Sequence, residues 1–399
     1  MRVFIAGIDG YLGWPLALHL ADRGHEVQGA DMLFRRDWVA EMDSQSATPI
    51  KSVLERRSVF QEKFKQPLLF WQIDLRDYTA VQEAFKAFNP EAIVHLGQQP
   101  SAAWSMVDVV RCTFSQVNNI SGTLNIIHAM REKCPEAHLV KLGTMGEYGT
   151  PDVDIPEGFF DIEYRGRKAR LPFPRQPGSW YHLSKAHDSA NLLFAAKVYG
   201  TRTTDIMQGV VYGIRTKEMG DDERLLTRFD FDECFGAVIN RFCAQAVIEQ
   251  PLTPYGKGGQ TRGYIPLRES IQCMRLAIEN PPKPGEPPYR VFNQFARTYT
   301  ITELLHKAMV AGAGVGQRVE VQAIENPRME AESHYYNPDH QKLFDLGYKP
   351  ALDGTKDLEE MLIDLAKYRD RILEKRHVLI PEIRWDGKHK KSEPLKEVK

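Results

Sequence analysis

The sequence predicts an α/β fold in which a doubly wound parallel sheet is followed by a smaller mixed α/β domain. Three observations predict it. Short apolar runs alternate with amphipathic stretches through residues 1–205, a glycine-rich turn joins the first run to the first amphipathic stretch, and the alternation becomes irregular after Thr204. Strands that alternate with helices build βαβ units, whose parallel strands are buried on both faces. This arrangement is typical of the Rossmann fold.

The first half of the chain supplies the elements of the predicted sheet. We predict strands at residues 3–6, 26–30, 69–73, 92–96 and 138–142, and helices at residues 12–23, 80–88 and 122–131. The connection between the second and third strands is too long for a plain crossover. We therefore expect it to carry a helix near residues 50–64 that shapes one side of the site.

The second half is less regular. Residues 215–232 are dense in charge and are expected to form a surface loop or a short helix. Helical spacing recurs at residues 235–249 and 301–311, and residues 280–288 form a proline-rich connector.

Composition and charge exclude several classes of protein. The chain has 399 residues, 42% of them apolar, which excludes wholesale disorder. The 52 basic and 53 acidic side chains nearly cancel, so no excess positive charge exists to bind nucleic acid. Five scattered cysteines predict neither a disulfide framework nor a metal site. Without a secretory signal or a long apolar stretch, we expect a cytoplasmic protein with no membrane partner.

The glycine-rich turn predicts a dinucleotide site. Gly7, Gly10 and Gly13 stand at intervals of three between a predicted strand and a predicted helix. The first permits a tight turn, the second lets a pyrophosphate approach the backbone, and the third lets the helix pack on the sheet. The N–H groups at the start of that helix then face the anion.

An acidic residue at the end of the second strand refines this prediction. Asp31 stands where a carboxylate accepts hydrogen bonds from the adenosine ribose and repels a 2′-phosphate, so NAD is favoured over NADP. Arg35 and Arg36 argue the other way, because a nearby arginine can receive that phosphate. The position of Asp31 is the more constrained, and we give it more weight.

A tyrosine and a lysine four residues apart predict the chemistry. Tyr181 and Lys185 lie on one face of a predicted helix. Free tyrosine has a pKa near 10, and a neighbouring ammonium lowers it, so that the pair can move protons to and from an alcohol. Thr144 ends a predicted strand at the edge where open α/β sheets bind ligands, and its hydroxyl is expected to align the substrate with Tyr181.

These residues, in this order, resemble the extended short-chain dehydrogenase/reductase superfamily of nucleotide-sugar enzymes. Asn119-Ile120-Ser121-Gly122-Thr123 matches its Asn-x-x-Gly-Thr helix start. A narrower resemblance, to the UDP-sulfoquinovose synthases, covers nearly the whole chain. The strings that carry it lie at residues 140–151, 208–213, 255–264, 290–295 and 326–332.

The narrower resemblance implies a reaction that joins sulfite to UDP-glucose with tightly held NAD. Tyr181, as phenolate, would take the proton of the 4-hydroxyl while carbon 4 gives its hydride to NAD⁺. The resulting ketone acidifies carbon 5, whose proton is lost as the 6-hydroxyl leaves. Sulfite then adds to carbon 6 of the enone, and the hydride returns to carbon 4.

The resemblance also implies the residues of the site. Those expected to contact the cofactor are Gly7, Asp9, Gly10, Tyr11, Leu12, Gly13, Asp31, Arg35, Arg36, Asp74, Leu75, Leu96, Gly97, Asn119, Tyr181, Lys185, Gln208 and Val211. Those expected to contact the nucleotide sugar are Gln99, Ser101, Thr144, Gly146, Gln208, Asn240, Arg241, Tyr255, Gln260, Thr261, Arg262, Arg328 and Glu330. Arg262 and Arg328 resemble clamps for the diphosphate, because guanidinium offers paired donors.

The group that moves the carbon-5 proton is left open. Related 4,6-dehydratases use an Asp-Glu pair directly after their threonine, but Met145 and Gly146 fill those places here. Glu147 and His182 are the nearest titratable side chains. Either is a candidate acid/base, and a purely structural role is as well supported for each.

One departure from the family bears on sulfite. Pro100 stands where the synthases have an arginine, and Gln98 replaces a glutamate. Proline donates no hydrogen bond, so sulfite delivery would need another cation, with His182 as a candidate, or would not occur. A related epimerase or dehydratase that does not use sulfite is therefore the alternative. A catalytically silent NAD-binding protein is disfavoured by the intact Thr144, Tyr181 and Lys185.

The resemblance also implies how the chain is organised. We expect residues 1–205 to form the NAD-binding domain, with a segment near residues 235–280 returning to it. Residues 206–385 are expected to form mainly the substrate domain, and the lysine-rich residues 386–399 a flexible tail. The superfamily implies a homodimer through helices around residues 119–131 and 181–199.

Overall fold

The computed structural model describes residues 1–350 and 354–386, and the elements below belong to those ranges. The strands are β1 (Arg2–Ala6), β2 (Glu26–Ala30), β3 (Leu69–Trp71), β4 (Ala92–His95), β5 (His138–Thr144), β6 (Phe159–Tyr164), β7 (Arg167–Pro172), β8 (Thr203–Gln208), β9 (Val210–Tyr212), β10 (Thr261–Pro266), β11 (Tyr289–Gln294) and β12 (Arg297–Thr300). The helices are α1 (Gly13–Ala21), α2 (Phe34–Glu41), α3 (Val53–Phe64), α4 (Tyr78–Phe88), α5 (Ala102–Ser105), α6 (Val109–Lys133), α7 (Trp180–Tyr199), α8 (Val238–Val247), α9 (Leu267–Glu279), α10 (Ile301–Gly314), α11 (Gln341–Asp345), α12 (Gly354–Ala366) and α13 (Arg369–Glu374).

The main sheet confirms the predicted fold class. Its seven described strands are parallel and run in the order β3-β2-β1-β4-β5-β8-β11. The order reverses direction between β1 and β4, and open α/β sheets bind ligands outside the carboxyl ends of the strands at such a point. The glycine-rich turn follows β1 directly, so the predicted dinucleotide site lies there.

Successive side chains of the central strands point to opposite faces of the sheet, and helices cover both faces. In β1, Val3 and Ile5 pack into one apolar cluster with α1 and α9, and Phe4 packs into another with α4, α6 and α7. The ring of Phe4 lies 5.1 Å from that of Phe85, edge to face. Burial on both faces is what a parallel sheet requires, and it fixes the positions of the strand ends.

A second, smaller sheet stands beyond the carboxyl edge of the first. It has the order β12-β10-β9, in which β10 pairs antiparallel with β12 and parallel with β9. Helices α8, α10 and α12 pack together beside it. The mixed sheet agrees with the predicted second domain. Strands β6 and β7 form a separate, exposed hairpin.

The segment near residues 235–280 that is expected to return to the first domain divides into two parts, of which the second, α9, packs against α1 and β5. Helix α8, the first part, contacts the C-terminal helices, and β11 adds the last strand of the main sheet. The domain boundaries themselves remain a prediction. The predicted tail, residues 386–399, lies outside the described residues except for Asp386.

The expectation of a surface loop at residues 215–232 is wrong for its second part. Residues 225–232 are buried, because their polar groups find partners inside the protein. Trp14 donates its indole N–H to the carbonyl of Leu225 at 2.8 Å, and Arg228 pairs with Asp230 at 2.9 Å. Charge density alone does not separate a solvated loop from a buried ion-pair network.

Three further findings concern the described residues. None of their helices has the length and apolar character needed to cross a bilayer. No group of three or more His, Cys, Asp or Glu side chains within them is placed to hold a metal ion. All five cysteines are free thiols.

Candidate active site

A cavity of about 690 Å³ opens along the carboxyl edge of the main sheet. One end is the glycine-rich turn after β1. The other end lies between β10 and the loop that contains Arg328. Tyr181 and Lys185 of α7 line the cavity between these ends, so one continuous space joins the predicted cofactor and substrate sites.

Gly7 and Gly13 of the glycine-rich turn have no room for a side chain. Gly7 has φ of +92°, and a Cβ there would lie 2.6 Å from the backbone nitrogen of Gly97. A Cβ on Gly13 would lie 2.1 Å from the carbonyl oxygen of Gly7. The first glycine therefore permits the turn, and the third lets α1 begin against the end of β1, as the spacing predicts.

Asp31 is held at the end of β2 by two backbone donors. Its carboxylate accepts hydrogen bonds from the N–H groups of Asp9 at 3.0 Å and Leu33 at 2.7 Å, and it lines the cavity. Burial and the neighbouring Asp9 raise the pKa of Asp31 above its ordinary value. A carboxylate has about four acceptor sites, so it retains capacity for the hydroxyls of a ribose.

The two arginines that argued for NADP are both occupied. Arg36 makes a bidentate pair with Asp9 at 2.8 Å, and Arg35 donates to Asp230 at 2.7 Å. Asp9 also pairs with Arg56 at 2.7 Å. Because carboxylates already hold both guanidinium groups, neither is left to receive a 2′-phosphate. The residues present therefore fit NAD.

The side chains of the Tyr-Lys pair do not form a hydrogen bond with each other. The ammonium of Lys185 is 5.9 Å from the ring centroid of Tyr181 and donates to Gln98 and to the carbonyl of Leu142. Burial, then Glu147 and Asp188, raise the pKa of Tyr181. The predicted lowering of the phenol's pKa is thus not present in this arrangement. Burial and Lys141 lower the pKa of Lys185.

Gln98 connects the lysine to a buried carboxylate. Its amide oxygen accepts from Lys185, and its amide nitrogen donates to Asp188 and, at 3.2 Å, to Thr123. Asp188 is fully buried, and burial raises its pKa. The glutamine therefore links the amine of Lys185 to the carboxyl group of Asp188 without adding a charge of its own.

Thr144 and His182 stand at the reaction end of the cavity. The Thr144 hydroxyl oxygen accepts the N–H of Gly146 at 3.1 Å. The imidazole of His182 packs over Gly146 so closely that a Cβ on that glycine would lie 2.3 Å from Nε2. Burial, then Arg328 and Arg262, lower the pKa of His182 to about 3. The ring is therefore uncharged near neutral pH, which argues against its use as the cation for sulfite.

Glu147 does not line the cavity, which argues against its predicted role as the acid/base at carbon 5. Its side chain is fully buried and pairs with Arg175 and, at 3.4 Å, with Lys141. It also accepts from Ser189 at 2.8 Å and from the N–H of Thr144 at 3.2 Å. Burial alone would raise its pKa, but the two cations outweigh burial and lower it. Glu147 therefore supports the strand end that carries Thr144.

Four arginines line the cavity, and three of them have partners. Arg35 is held by Asp230, Arg262 donates to Glu330 at 2.5 Å, and Arg241 donates to the phenol of Tyr255. Arg328 lies exposed at the cavity mouth, and no carboxylate among the described residues pairs with it. Its guanidinium is the one cavity-lining guanidinium with all its donors free within those ranges.

Several buried polar atoms of this substrate end have no partner in the described protein. They are both amide atoms of Gln260, Oδ1 of Asn240 and Nε of Arg241. All three side chains are buried and line the cavity. A buried polar group without a hydrogen bond costs about 1–3 kcal/mol. These atoms are therefore suited to a ligand with several donors and acceptors, such as a nucleoside sugar.

The structure brings together most of the predicted residues. Those that line the cavity are Gly7, Gly10, Tyr11, Leu12, Gly13, Asp31, Arg35, Asp74, Leu75, Leu96, Gly97, Ser101, Thr144, Gly146, Tyr181, His182, Lys185, Gln208, Val211, Asn240, Arg241, Tyr255, Gln260, Arg262, Arg328 and Glu330. Those that lie outside its wall are Asp9, Arg36, Gln99, Asn119, Glu147 and Thr261.

Two of those outside the wall contact residues that line it. The Asn119 side chain accepts from the amide nitrogen of Asn118 at 3.1 Å, and the backbone N–H of Asp9 donates to Asp31 at 3.0 Å. Asn119 ties the loop after β4 to α7, because it accepts from the N–H of Gln99 at 2.7 Å and donates to Ser184 at 2.9 Å. Asp9 holds Arg36 and Arg56 behind the glycine-rich turn. Neither residue lines the cavity, so each would support a bound cofactor through the residues that it holds.

One aromatic part of the cavity wall is not indicated by any sequence motif. It consists of Phe34, Trp38, Phe235, Tyr336 and Trp385. These residues come from four distant parts of the chain, and none belongs to a spaced motif. Only the contact between Phe34 and Trp38 could have been predicted from the sequence. They are four residues apart on α2, so they share one helix face, and their rings lie 5.7 Å apart.

Comparison with known proteins agrees with this arrangement. Residues 3–293 match the NAD dependent epimerase/dehydratase family. UDP-glucuronic acid 4-epimerase from Bacillus cereus, solved with UDP-glucuronic acid and NAD, superposes with a TM-score of 0.68. The superposition covers 94% of this chain and 100% of that one at 18% identity, which supports the fold alone. The class is therefore that of the NAD-dependent epimerases and dehydratases.

Two curated relatives narrow the class. UDP-sulfoquinovose synthase of Spinacia oleracea, a chloroplastic protein, is 46% identical over 96% of this chain and 79% of its own length. UDP-sulfoquinovose synthase of Sulfolobus acidocaldarius is 45% identical over 96% of this chain and 98% of its own length. The chain belongs to the UDP-sulfoquinovose synthase family.

Proposed function

We propose that this enzyme joins sulfite to UDP-glucose and releases UDP-sulfoquinovose. The observation that carries the proposal is one cavity in which Tyr181, Lys185 and Thr144 stand between the glycine-rich turn and an arginine-lined end. The two relatives named as UDP-sulfoquinovose synthases support the choice of substrates. When bound, NAD⁺ accepts a hydride from carbon 4 of the sugar and later returns it.

The residues of this chain supply the proton chemistry of the sugar. Tyr181 takes the proton of the 4-hydroxyl as carbon 4 is oxidised to a ketone, and Thr144 donates a hydrogen bond that orients the same oxygen. The ketone acidifies carbon 5, whose proton passes to His182 as the 6-hydroxyl leaves as hydroxide, which takes up a proton from solvent and departs as water. Sulfite adds through sulfur to carbon 6 of the enone, carbon 5 regains a proton, and Tyr181 reprotonates the 4-oxygen as hydride returns.

His182 is assigned the carbon-5 proton because it lines the cavity and Glu147 does not. Burial, then Arg328 and Arg262, lower the pKa of His182. A bound diphosphate would neutralise these arginines, so the pKa of His182 would rise when substrate binds. The group would then be a stronger base when it is needed.

A related enzyme that does not use sulfite is the second candidate, and Pro100 favours it. This proline lines the cavity where the resemblance predicts an arginine, and it offers sulfite neither a charge nor a donor. Under this alternative the same oxidation at carbon 4 ends in epimerisation or in elimination.

We also propose that the enzyme is a homodimer and that it is cytoplasmic. The apolar side chains Val117 and Leu124 on α6, with Phe194 and Val198 on α7, are between 37% and 60% exposed and support an interface between paired helices. The five free cysteines fit a reducing compartment.

Product analysis tests the proposal. The NAD-loaded protein is incubated with UDP-glucose, with and without sulfite, and products are followed by mass spectrometry. We expect a sulfonated nucleotide sugar with sulfite, and loss of turnover by about 100- to 10,000-fold in Tyr181→Phe, which lacks only the phenol oxygen. Turnover without sulfonation would establish the second candidate instead, and silence across several UDP-sugars would exclude both.

A further inference from the structure

The segment of residues 382–386, here called the strap, contacts two loops that contribute residues to the cavity wall. Glu233, which lines the cavity, accepts the backbone N–H groups of Glu382 and Ile383 at 3.0 Å each. Burial raises the pKa of Glu233. A carboxylate that receives two backbone donors fixes the first half of the strap to the loop before α8.

The second half of the strap is fixed to the loop of residues 325–328. Arg384 makes a bidentate pair with Glu325 at 2.8 Å, and the backbone N–H of Trp385 donates to the carbonyl of Pro327 at 2.9 Å. The strap thus joins the loop before α8 to the loop that carries Arg328.

An apolar contact anchors the strap between these two attachments. Ile383 is 6% exposed and packs in one cluster with Trp38, Trp104 and Cys234, and the indole of Trp385 packs beside it. Trp385 therefore has a defined position, and it lines the cavity.

The indole of Trp385 stacks on the cation at the cavity mouth. The Cζ atom of Arg328 lies 5.1 Å from the ring centroid. A cation–π contact orients a guanidinium through its face and uses none of its N–H donors. An ion pair, such as that of Arg262 with Glu330, occupies a donor and offsets charge that a phosphate would otherwise receive.

We propose that Trp385 is a positioning residue for the diphosphate of the nucleotide sugar. It holds the Arg328 guanidinium at the mouth of the cavity with its donors free, so that the diphosphate receives them without displacing a carboxylate. This inference rests on the proposed function, since it takes the ligand to be a nucleoside diphosphate sugar. It adds a residue from the strap, outside every motif that the sequence analysis used.

Binding of UDP to the NAD-loaded protein tests the inference. We expect Trp385→Ala to weaken UDP binding about tenfold in calorimetry, from loss of one cation–π contact. Trp385→Phe, which keeps an aromatic face, should recover most of the affinity. With UDP-glucose as substrate, KM should rise in Trp385→Ala while kcat changes little, because the reaction end of the cavity is unaltered.

A double-mutant cycle separates positioning from general support of the fold. Arg328→Ala should weaken UDP binding by at least as much as Trp385→Ala, and Trp385→Ala should add nothing in the Arg328→Ala background. An undiminished effect in that background would overturn the inference, and so would UDP binding of wild-type strength in Trp385→Ala.

The matched control is Tyr164→Ala at the exposed hairpin. It removes a similar stack, with Arg165 at 5.2 Å, between residues that do not line the cavity, and should leave UDP binding unchanged. Sulfite is titrated separately. Loss of sulfite binding in Trp385→Ala with UDP binding intact would overturn the diphosphate assignment. If the unaltered enzyme does not bind UDP, both the proposed function and the inference are wrong. If the unaltered enzyme binds UDP, the affinities of the variants test the inference alone.

Discussion

The buried carboxylate of Glu147 lies behind the cavity wall, where two cations hold it. Lys141 and Arg175 face it inside the protein, and Asp205 shares Lys141 at 3.4 Å. Removal of one partner from a buried ion pair leaves the other charge without compensation. Such a loss is far more costly than the pair is favourable.

We expect Glu147→Gln to reduce the free energy of unfolding by about 3–5 kcal/mol. The carbon-5 proton of the bound sugar should still exchange in the folded fraction, because Glu147 does not line the cavity. Urea denaturation measures the first effect, and deuterium exchange at carbon 5 measures the second. Complete loss of exchange in a stably folded Glu147→Gln protein would instead support proton transfer by Glu147.

The loss of stability in Glu147→Gln should depend on pH. The pKa of Glu147 is lowered from its ordinary value of 4.5, so its ionised form is favoured by folding. Its contribution is therefore present above about pH 4.5 and is lost as the pH falls through the folded pKa. The stability difference between the native protein and Glu147→Gln should shrink on acidification. Glu163→Gln, which alters an exposed pair with Lys168, should cost at most about 1 kcal/mol at any pH.

The sequence predicted which residues line the site better than it predicted the hydrogen-bond and ion-pair partners of those residues. Tyr181, Lys185 and Thr144 could be proposed because their spacing and strand position are set by local chain geometry, and all three line the cavity. The sequence did not reveal that Lys185 would turn toward Gln98, or that Arg35 and Arg36 would be held by Asp230 and Asp9. These partners are remote in sequence or lie across the turn, and no local pattern encodes them.

Among the elements, the turn between β1 and α1 was predicted almost completely. Its glycines, strand and helix are contiguous, so the requirement for close approach is visible in the sequence. By contrast, the β6–β7 hairpin was missed, although its two-residue turn has a recognisable signal. Arg165 and Gly166 both have positive φ, as a type I′ turn requires, and the second of them is a glycine.

A pair of helical glycines tests the packing role of that first turn. Gly13→Ala places a Cβ 2.1 Å from the Gly7 carbonyl oxygen, so the backbone must shift, whereas Gly122→Ala meets only Leu75 Cβ at 3.4 Å. We expect Gly13→Ala to reduce the free energy of unfolding by roughly 2 kcal/mol or more and to weaken NAD binding. Gly122→Ala should be neutral or stabilising by up to about 1 kcal/mol. Equal NAD affinity in both variants would contradict the close-packing argument.

For the whole molecule, the parallel sheet was predictable from alternation, but its last two strands were not. Strands β8 and β11 are separated by 80 residues that build most of the second sheet and its helices, and they meet only in the folded protein. The same distance explains why the aromatic wall was missed. Phe34, Phe235 and Trp385 become neighbours of one cavity through topology, which a single sequence does not display.

Helices α6 and α7 expose apolar side chains on their surfaces. Val110, Val117 and Leu124 repeat every seven residues on α6, and Phe194 and Val198 are four apart on α7, so each helix presents an exposed apolar stripe. Burial of these stripes against a second copy would remove apolar surface from water.

A charge placed on one stripe should therefore separate the copies. We expect the native chain to sediment as a dimer at micromolar concentration and Phe194→Glu as a monomer, because a desolvated carboxylate would face the apolar stripe of the partner. Ile363→Glu is the matched control, since Ile363 is equally exposed, at 57% against 60% for Phe194, but lies on α12. It should leave the dimer intact. NAD binding is measured in both variants to establish that each is folded. A native chain that sediments as a monomer, or a dimer that survives Phe194→Glu, would exclude these helices as the interface.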